Sequence, residues 1–274
     1  YMVFGGIPYY FGFFSPGLSL AQNVDKLLFA KDAPLSKEYD RLFHSLFVHW
    51  EEHQKVVSLL ATRHYGFTRD DISKQCGISK GGGLSTILKA LIDSDFVLKY
   101  TPIVEERNVE YYKLCDPFCL FYLKFMADNK TTDSQFWQNS QNLPPIVTWR
   151  GFAFEDVCFN HIDQIKMALG VSGVVSKESA LLIKGSKEQQ GGQMDLLIDR
   201  ADNVLNLCEM KFYKKEFTVT QSDRFAFEDR IELLNRLTHS KKNIHFTLVT
   251  TFGLAYNEHF GVVQKVVTLQ DLFR

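Results

Sequence analysis

Asp195, Glu209 and Lys211 are the residues whose types and spacing could do chemistry. Asp195 closes the run Gly192-Gln-Met-Asp195, thirteen residues separate it from Glu209, and Glu209-Met-Lys211 sets an ammonium two positions further on. Side chains alternate along a strand, so Glu209 and Lys211 face the same way. The short turn Arg200-Ala-Asp-Asn203 can fold Asp195 beside them as the other arm of a hairpin. Two carboxylates and one ammonium would then converge. Hard oxygen donors at such a corner suit Mg²⁺ or Mn²⁺, which keep several waters and bind through one or two carboxylates plus a substrate phosphate. A neighbouring lysine can orient or deprotonate the attacking water and steady developing charge.

A plainer reading of the same residues is an ion pair between Glu209 and Lys211 at a hairpin edge. The surroundings weigh against it: Met194, Leu196, Leu197 and Ile198 on one strand and Leu205 and Leu207 on the other make an apolar setting in which an unpaired charge is costly. Lys211-Phe-Tyr-Lys-Lys215, together with Lys184 and Lys187, forms a local basic cluster that could guide a phosphate backbone, although lysines at strand ends are commonly just solvated.

Two other spacings are compatible with metal ligands and are read otherwise. His49 and His53 are four apart and share a helix face, but Glu51, Glu52 and Gln54 around them point to a solvated face. Cys115 and Cys119 sit one turn apart in an aromatic helix and read as small core residues. Neither pair is assigned a metal.

The elements that must position the corner follow from periodicity. Leu18 to Ala30 reads as a short helix. Leu42, Phe43, Leu46, Phe47 and Trp50 recur at helical spacing after Ser36, and Gln54 to Tyr65 makes a third helix. Thr68-Arg-Asp-Asp71 is a capping box, Gly77 a turn, and Leu84, Ile87, Leu88, Leu91 and Ile92 the apolar stripe of a further helix. Phe96 to Thr101 and Val109 to Leu114 are strand-like around the charged turn Glu105 to Asn108. Two helices and a hairpin make a winged helix-turn-helix, and Asp116-Pro-Phe118 opens one more helix.

The polar stretch 128–148, ending near Pro144-Pro145, reads as a linker. Beyond it, a helix from Gly151 to about Leu169 precedes strands at Ala180 to Lys184, Gln193 to Asp199 and Val204 to Phe212. A helix at Gln221 to Leu237 and strands at Asn243 to Thr251 and Val262 to Thr268 complete a mixed sheet with flanking helices. The expected class is α+β and multidomain: a helical lid-like segment over 1–66, a winged helix with its following helix over 67–127, the linker over 128–148 and an α/β domain over 149–274.

The chain is 274 residues long, too long for one ordinary domain. Its 45% hydrophobic and 23% charged residues describe a chain that folds. A net charge of −1 excludes a nucleic-acid binder that works by overall basicity, so any such binding rests on local patches. Five scattered cysteines without a CxxC pair suggest neither disulfides nor a zinc knuckle, and a reducing cytoplasm fits them best. No apolar run approaches the roughly 18 to 20 residues of a membrane span, so no membrane partner is expected. The abrupt start at Tyr1, with Met2 not first, reads as a piece of a longer polypeptide.

Asp195 and Glu209-Met-Lys211 resemble the D…(D/E)xK signature of the PD-(D/E)XK nuclease superfamily, and the helix–strand–hairpin order is similar. That resemblance implies that Asp195 and Glu209 ligate Mg²⁺ or Mn²⁺, that Lys211 assists the water, and that an acidic residue on the first helix joins them, a place held by Glu155 in Gly151-Phe-Ala-Phe-Glu155. Phe4-Gly-Gly-Ile-Pro-Tyr-Tyr10, Asn23-Val-Asp-Lys-Leu-Leu-Phe29, the winged helix, Asp116-Pro-Phe118 and Leu269-Gln-Asp-Leu-Phe273 together resemble the C-terminal half of archaeal-type AAA/STAND ATPases, also found in bacteria. Such proteins carry a P-loop ATPase, a helical lid, a winged helix and, in one branch, a restriction-nuclease-like C-terminal domain.

This chain departs from that pattern in having no G-x-x-x-x-G-K-[ST]; Gly77-Ile-Ser-Lys-Gly-Gly-Gly83 is glycine-rich but lacks the Lys-Ser/Thr pair. ATP is therefore expected only in an absent N-terminal domain.

If the winged helix meets DNA, Ser79, Lys80, Ser85, Thr86 and Lys89 on its second helix are the candidates for phosphates or bases. Five basic residues against four acidic ones between Arg69 and Lys99 give no basic footprint, and winged helices also contact proteins. The expected function is Mg²⁺-dependent phosphodiester hydrolysis by the C-terminal region of an AAA-type ATP-binding protein. The alternative is a non-catalytic DNA- or protein-binding regulatory module. A stand-alone transcription regulator leaves the carboxylates unexplained.

Overall fold

The computed structural model describes residues 1–102, 109–128, 133–183, 192–238 and 241–274. These fall into two units, one of Tyr1–Lys99 with Tyr112–Ala153 and one of Tyr100–Tyr111 with Phe154–Arg274. The turn expected at Glu105 to Asn108, and Lys184 and Lys187 of the basic cluster, lie outside the described residues. The class is α+β, with a mixed sheet. Among the described residues no helix is long and apolar enough to cross a membrane.

In the first unit α1 (Pro8–Phe11) begins with a proline, whose missing N–H costs nothing in a first turn. α2 (Leu20–Val24) is capped by a reciprocal Ser19–Gln22 box and runs into a single π-helical turn over Asp25–Phe29. Asp25 is buried and uses both oxygens: Oδ1 accepts the Trp137 N–H at 2.7 Å and Oδ2 accepts from Gln138 N and Nε2 at 3.0 and 2.9 Å.

α3 (Glu38–Leu46) stops short of the expected Trp50. Phe47 turns to extended backbone, φ −130° and ψ 130°, and α4 (Trp50–Leu60) starts afresh. The restart moves His53 from the expected solvated face into the core. There its ring stacks on Phe47 at 4.1 Å and Nδ1 lies 2.8 Å from the His49 carbonyl oxygen, while His49 stays exposed.

β1 (Phe67–Thr68) leads into α5 (Arg69–Cys76), where the Thr68 hydroxyl accepts the Asp71 N–H as the capping pattern anticipates. α6 (Gly82–Asp93), β2 (Val97–Tyr100), β3 (Tyr111–Leu114) and α7 (Pro117–Phe125) follow. The strands form a sheet ordered β1-β3-β2. Gly66 makes this sheet possible: it has φ +82°, and a Cβ there would stand 2.2 Å from the Tyr112 carbonyl oxygen.

The stretch 128–148 contains α8 (Phe136–Asn139) and the start of α9 (Pro144–Phe159). Trp137 on α8 and Trp149 on α9 meet Phe121 and Phe125 of α7 edge to face, with centroids 5.0 to 5.5 Å apart.

The second unit takes the C-terminal part of α9. The helix expected over Gly151 to Leu169 is two, because the chain turns at Asn160-His161 before α10 (Ile162–Ala168). β4 (Ser176–Ile183), β5 (Gly192–Arg200) and β6 (Val204–Lys211) form an antiparallel meander. Asn203 takes the left-handed conformation in the β5–β6 turn, φ +63°. β7 (Phe217–Thr218), α11 (Gln221–Thr238), β8 (Asn243–Thr250), β9 (Leu254–Ala255), β10 (Lys265–Thr268) and α12 (Leu269–Leu272) complete the chain.

The sheet order is β10-β8-β6-β5-β4, with β8 parallel to both β6 and β10. α11 buries Phe227, Leu233 and Leu234 with Leu205, Leu207, Phe246 and Leu248 of the sheet. The short β7–β9 pair was not legible from periodicity, since two residues carry no period.

Candidate functional site: an acidic corner at the end of β5 and β6

β5 and β6 pair with Leu196 opposite Cys208 and Leu197 opposite Leu207. One step further along this register brings Asp195 opposite Glu209 at the end of the paired stretch. The Asp195 carboxylate reaches the facing strand's backbone, where Oδ2 accepts the Met210 N–H at 2.8 Å. Both carboxylates are buried, Asp195 at 8% exposure and Glu209 at 1%. β8 closes the other side, with Leu248 beside Glu209 and Thr250 beside Lys211 in the parallel register.

Glu209 is held by two cations. Lys211 Nζ lies 2.7 Å from Oε1, and Arg230 Nη1 lies 3.0 Å from Oε2. The Arg230 contact pairs charges without directing an N–H along a hydrogen bond, so buried Oε2 accepts none among the described residues. The Thr250 hydroxyl, also fully buried, is in the same condition.

Burial, then the charge of Glu209, then that of Glu155 push the Asp195 carboxyl well above its ordinary range, against the opposing Met210 N–H and Lys211. Burial alone would pull the Lys211 ammonium down, but Glu209 through charge and hydrogen bond, with Asp195 adding, carries it above its usual value. Lys211 is therefore a firm cation. The nearby thiols stay protonated: burial raises Cys158 well above its ordinary value and, with Asp195 adding and a hydrogen bond involving Thr247 opposing, raises Cys208 to about 12. All five cysteines are free.

Asp195, Glu209 and Lys211 are thus brought together, and half-buried Glu155, projecting from α9, is near enough for its charge to act on Asp195. Among the described residues no group of three or more His, Cys, Asp or Glu side chains is gathered as closely as a bound metal ion requires. Arg230 was missed in the sequence because it lies on another element. The signal was present: it recurs with Phe227 and Leu234 on the buried face of α11, where a cation needs a partner.

The candidates on the second helix of the expected winged helix are all exposed, and several already have partners. Lys80 pairs with Asp70 at 2.8 Å and Lys89 with Asp93. Arg69 donates to Ser85 Oγ at 2.7 Å, and the Thr86 hydroxyl donates to the Gly82 carbonyl at 3.0 Å. Ser79 is exposed at the turn before α6.

No protein-family model and no curated protein matches the chain. Among solved structures it is similar to the crystal structure of protein VC1899 from Vibrio cholerae, at 12% identity and a TM-score of 0.30. The match covers 93% of this chain and 54% of that one, so the chain spans about half that protein's length.

Proposed function

We propose that the second unit is a restriction-nuclease-like domain of the PD-(D/E)XK type that hydrolyses phosphodiesters with Mg²⁺ or Mn²⁺, as the C-terminal region of an AAA-type ATP-binding protein. The observation that carries this reading is the juxtaposition of two buried carboxylates, Asp195 and Glu209, with a lysine held as an ammonium. Burying two carboxylates side by side is expensive, and a divalent cation would add to the compensation that Lys211 and Arg230 give.

The donor set fits such an ion. Asp195 and Glu209 offer hard oxygens, the buried Glu209 Oε2, paired in charge with Arg230, accepts no hydrogen bond among the described residues, and Glu155 adds negative charge at the rim. When bound, the ion would polarise a substrate phosphate and acidify a coordinated water. Lys211, as an ammonium, donates to the attacking water and steadies the charge that grows on the phosphate oxygens. Arg230 fixes the orientation of Glu209.

The segment from Thr68 to Leu114 reads as the winged helix. The exposed pairs Lys80–Asp70 and Lys89–Asp93 leave this segment without a net basic face, which favours a second reading for it, a protein-contact module rather than a DNA reader. On that reading ATP is handled only by a domain outside this chain.

Titration calorimetry of Mn²⁺ into the full chain tests the metal site. One site is expected, with proton release as Asp195 ionises, and with binding lost in Asp195→Ala. Unchanged binding in Asp195→Ala contradicts the assignment.

A further inference from the structure

β6 and β8, which pair side by side at the acidic corner, continue into exposed aromatic residues. Two positions after Lys211, Tyr213 is 44% exposed, and two positions after Thr250, Phe252 is 58% exposed. The segments that carry them are tied together: Tyr213 N–H donates to Thr251 Oγ1 at 3.0 Å, the Thr251 hydroxyl donates to the Tyr213 carbonyl, and Phe217 N–H donates to the Gly253 carbonyl at 2.9 Å. The Tyr213 ring is braced edge-on by Phe217, with centroids 4.9 Å apart. Further along the β7–β9 pair, Tyr256 is 80% exposed.

Lys214 and Lys215 are exposed beside Tyr213, so Lys211 to Glu216 carries three lysines against one glutamate. A purely apolar partner would leave these ammonium groups unanswered. A duplex hides its base faces in the stack and offers rings little beyond its ends. An unpaired strand presents both a base face for each ring and a phosphate for each lysine.

We infer that Tyr213 and Phe252, with Lys214 and Lys215, form a stacking platform that takes an unpaired polynucleotide strand and leads it to the acidic corner. This rests on the hydrolytic reading of that corner and names its substrate as single-stranded nucleic acid. The rings hold successive bases, the lysines track the backbone, and the scissile phosphate is the one delivered to Asp195, Glu209 and Lys211.

The test is fluorescence anisotropy of the full chain with an end-labelled single-stranded DNA, the same sequence as RNA, and the matching duplex, all in EDTA so that binding is read without cleavage. At least one single strand is expected to bind. Tyr213→Ala and Phe252→Ala each weaken it about tenfold, in keeping with base–aromatic stacking, and Tyr213→Phe retains it. The duplex binds about tenfold more weakly than the single strand. Phe252→Ala carries the test if loss of the Phe217 contact unsettles Tyr213→Ala.

A duplex bound as tightly as the single strand, single-strand binding unchanged in Phe252→Ala, or no single-strand binding overturns the platform. Mn²⁺-dependent cleavage is read separately on the same oligonucleotides. Cleavage confined to duplex overturns the platform and leaves the hydrolytic reading intact, whereas ring-dependent binding without cleavage supports the platform and removes the hydrolysis.

Discussion

Arg230, reaching from α11, sets a guanidinium nitrogen 3.0 Å from Glu209 Oε2, the carboxylate oxygen that Lys211 does not hold. A helix on one face of the sheet is thereby tied to the end of its central strand through one buried carboxylate.

That tie is measurable. Glu209 is buried while Arg230 is only partly so, and removing one partner of such a pair leaves the buried charge short of compensation. A double-mutant cycle with Glu209→Gln and Arg230→Met, followed by urea unfolding, is expected to give a coupling energy of about 1 to 3 kcal/mol. A coupling near zero would show that the contact contributes only packing.

Asp195 sets the stability of the metal-free protein in a definite direction. Its carboxyl binds a proton more tightly folded than unfolded, through burial first and then Glu209 and Glu155. As pH rises above the unfolded value of about 4, the unfolded chain gives up a proton that the native state retains, so stability falls until the raised folded value is passed. Asp195→Asn removes this penalty and can still accept from Met210 N–H. In EDTA the variant should melt above wild type at pH 8, with the gap closing toward pH 4. A variant that melts below wild type at pH 8 contradicts the raised Asp195 carboxyl.

Two left-handed glycines separate steric from conformational cost. Gly77 ends α5 at φ +64° with open space around it, whereas a Cβ on Gly66 meets the Tyr112 carbonyl. Gly77→Ala should cost about 1 kcal/mol, the ordinary penalty for a side chain in that conformation. Gly66→Ala should cost at least about 3 kcal/mol, because β3 must also move. Equal losses in chemical denaturation would place the close approach elsewhere.

Sequence reading reached the strands of the acidic corner because a long strand and a hairpin turn leave period and punctuation behind: the β5–β6 pair, α11 and β8 lie within a residue or two of their expected ends. It did not reach the break at Phe47, where an apolar residue continues the helical spacing while its backbone leaves the helix, and so it placed buried His53 in solvent. Nor could it find Asp25 capping α8, since a contact across more than a hundred residues leaves no local trace. Within the site, Asp195, Glu209, Lys211 and Glu155 share a motif, while Arg230 and the Thr250 hydroxyl enter only through the packing of α11 and β8 on β6.

The most direct measurement is single-turnover cleavage of linear, circular and single-stranded DNA by the full chain in Mg²⁺ or Mn²⁺, with EDTA, Asp195→Ala and Lys211→Ala as controls. The acidic corner predicts cleavage that requires the metal and falls by at least about a hundredfold in each variant, the scale of removing one group from an electrostatically stabilised transition state. Cleavage that survives both substitutions contradicts it.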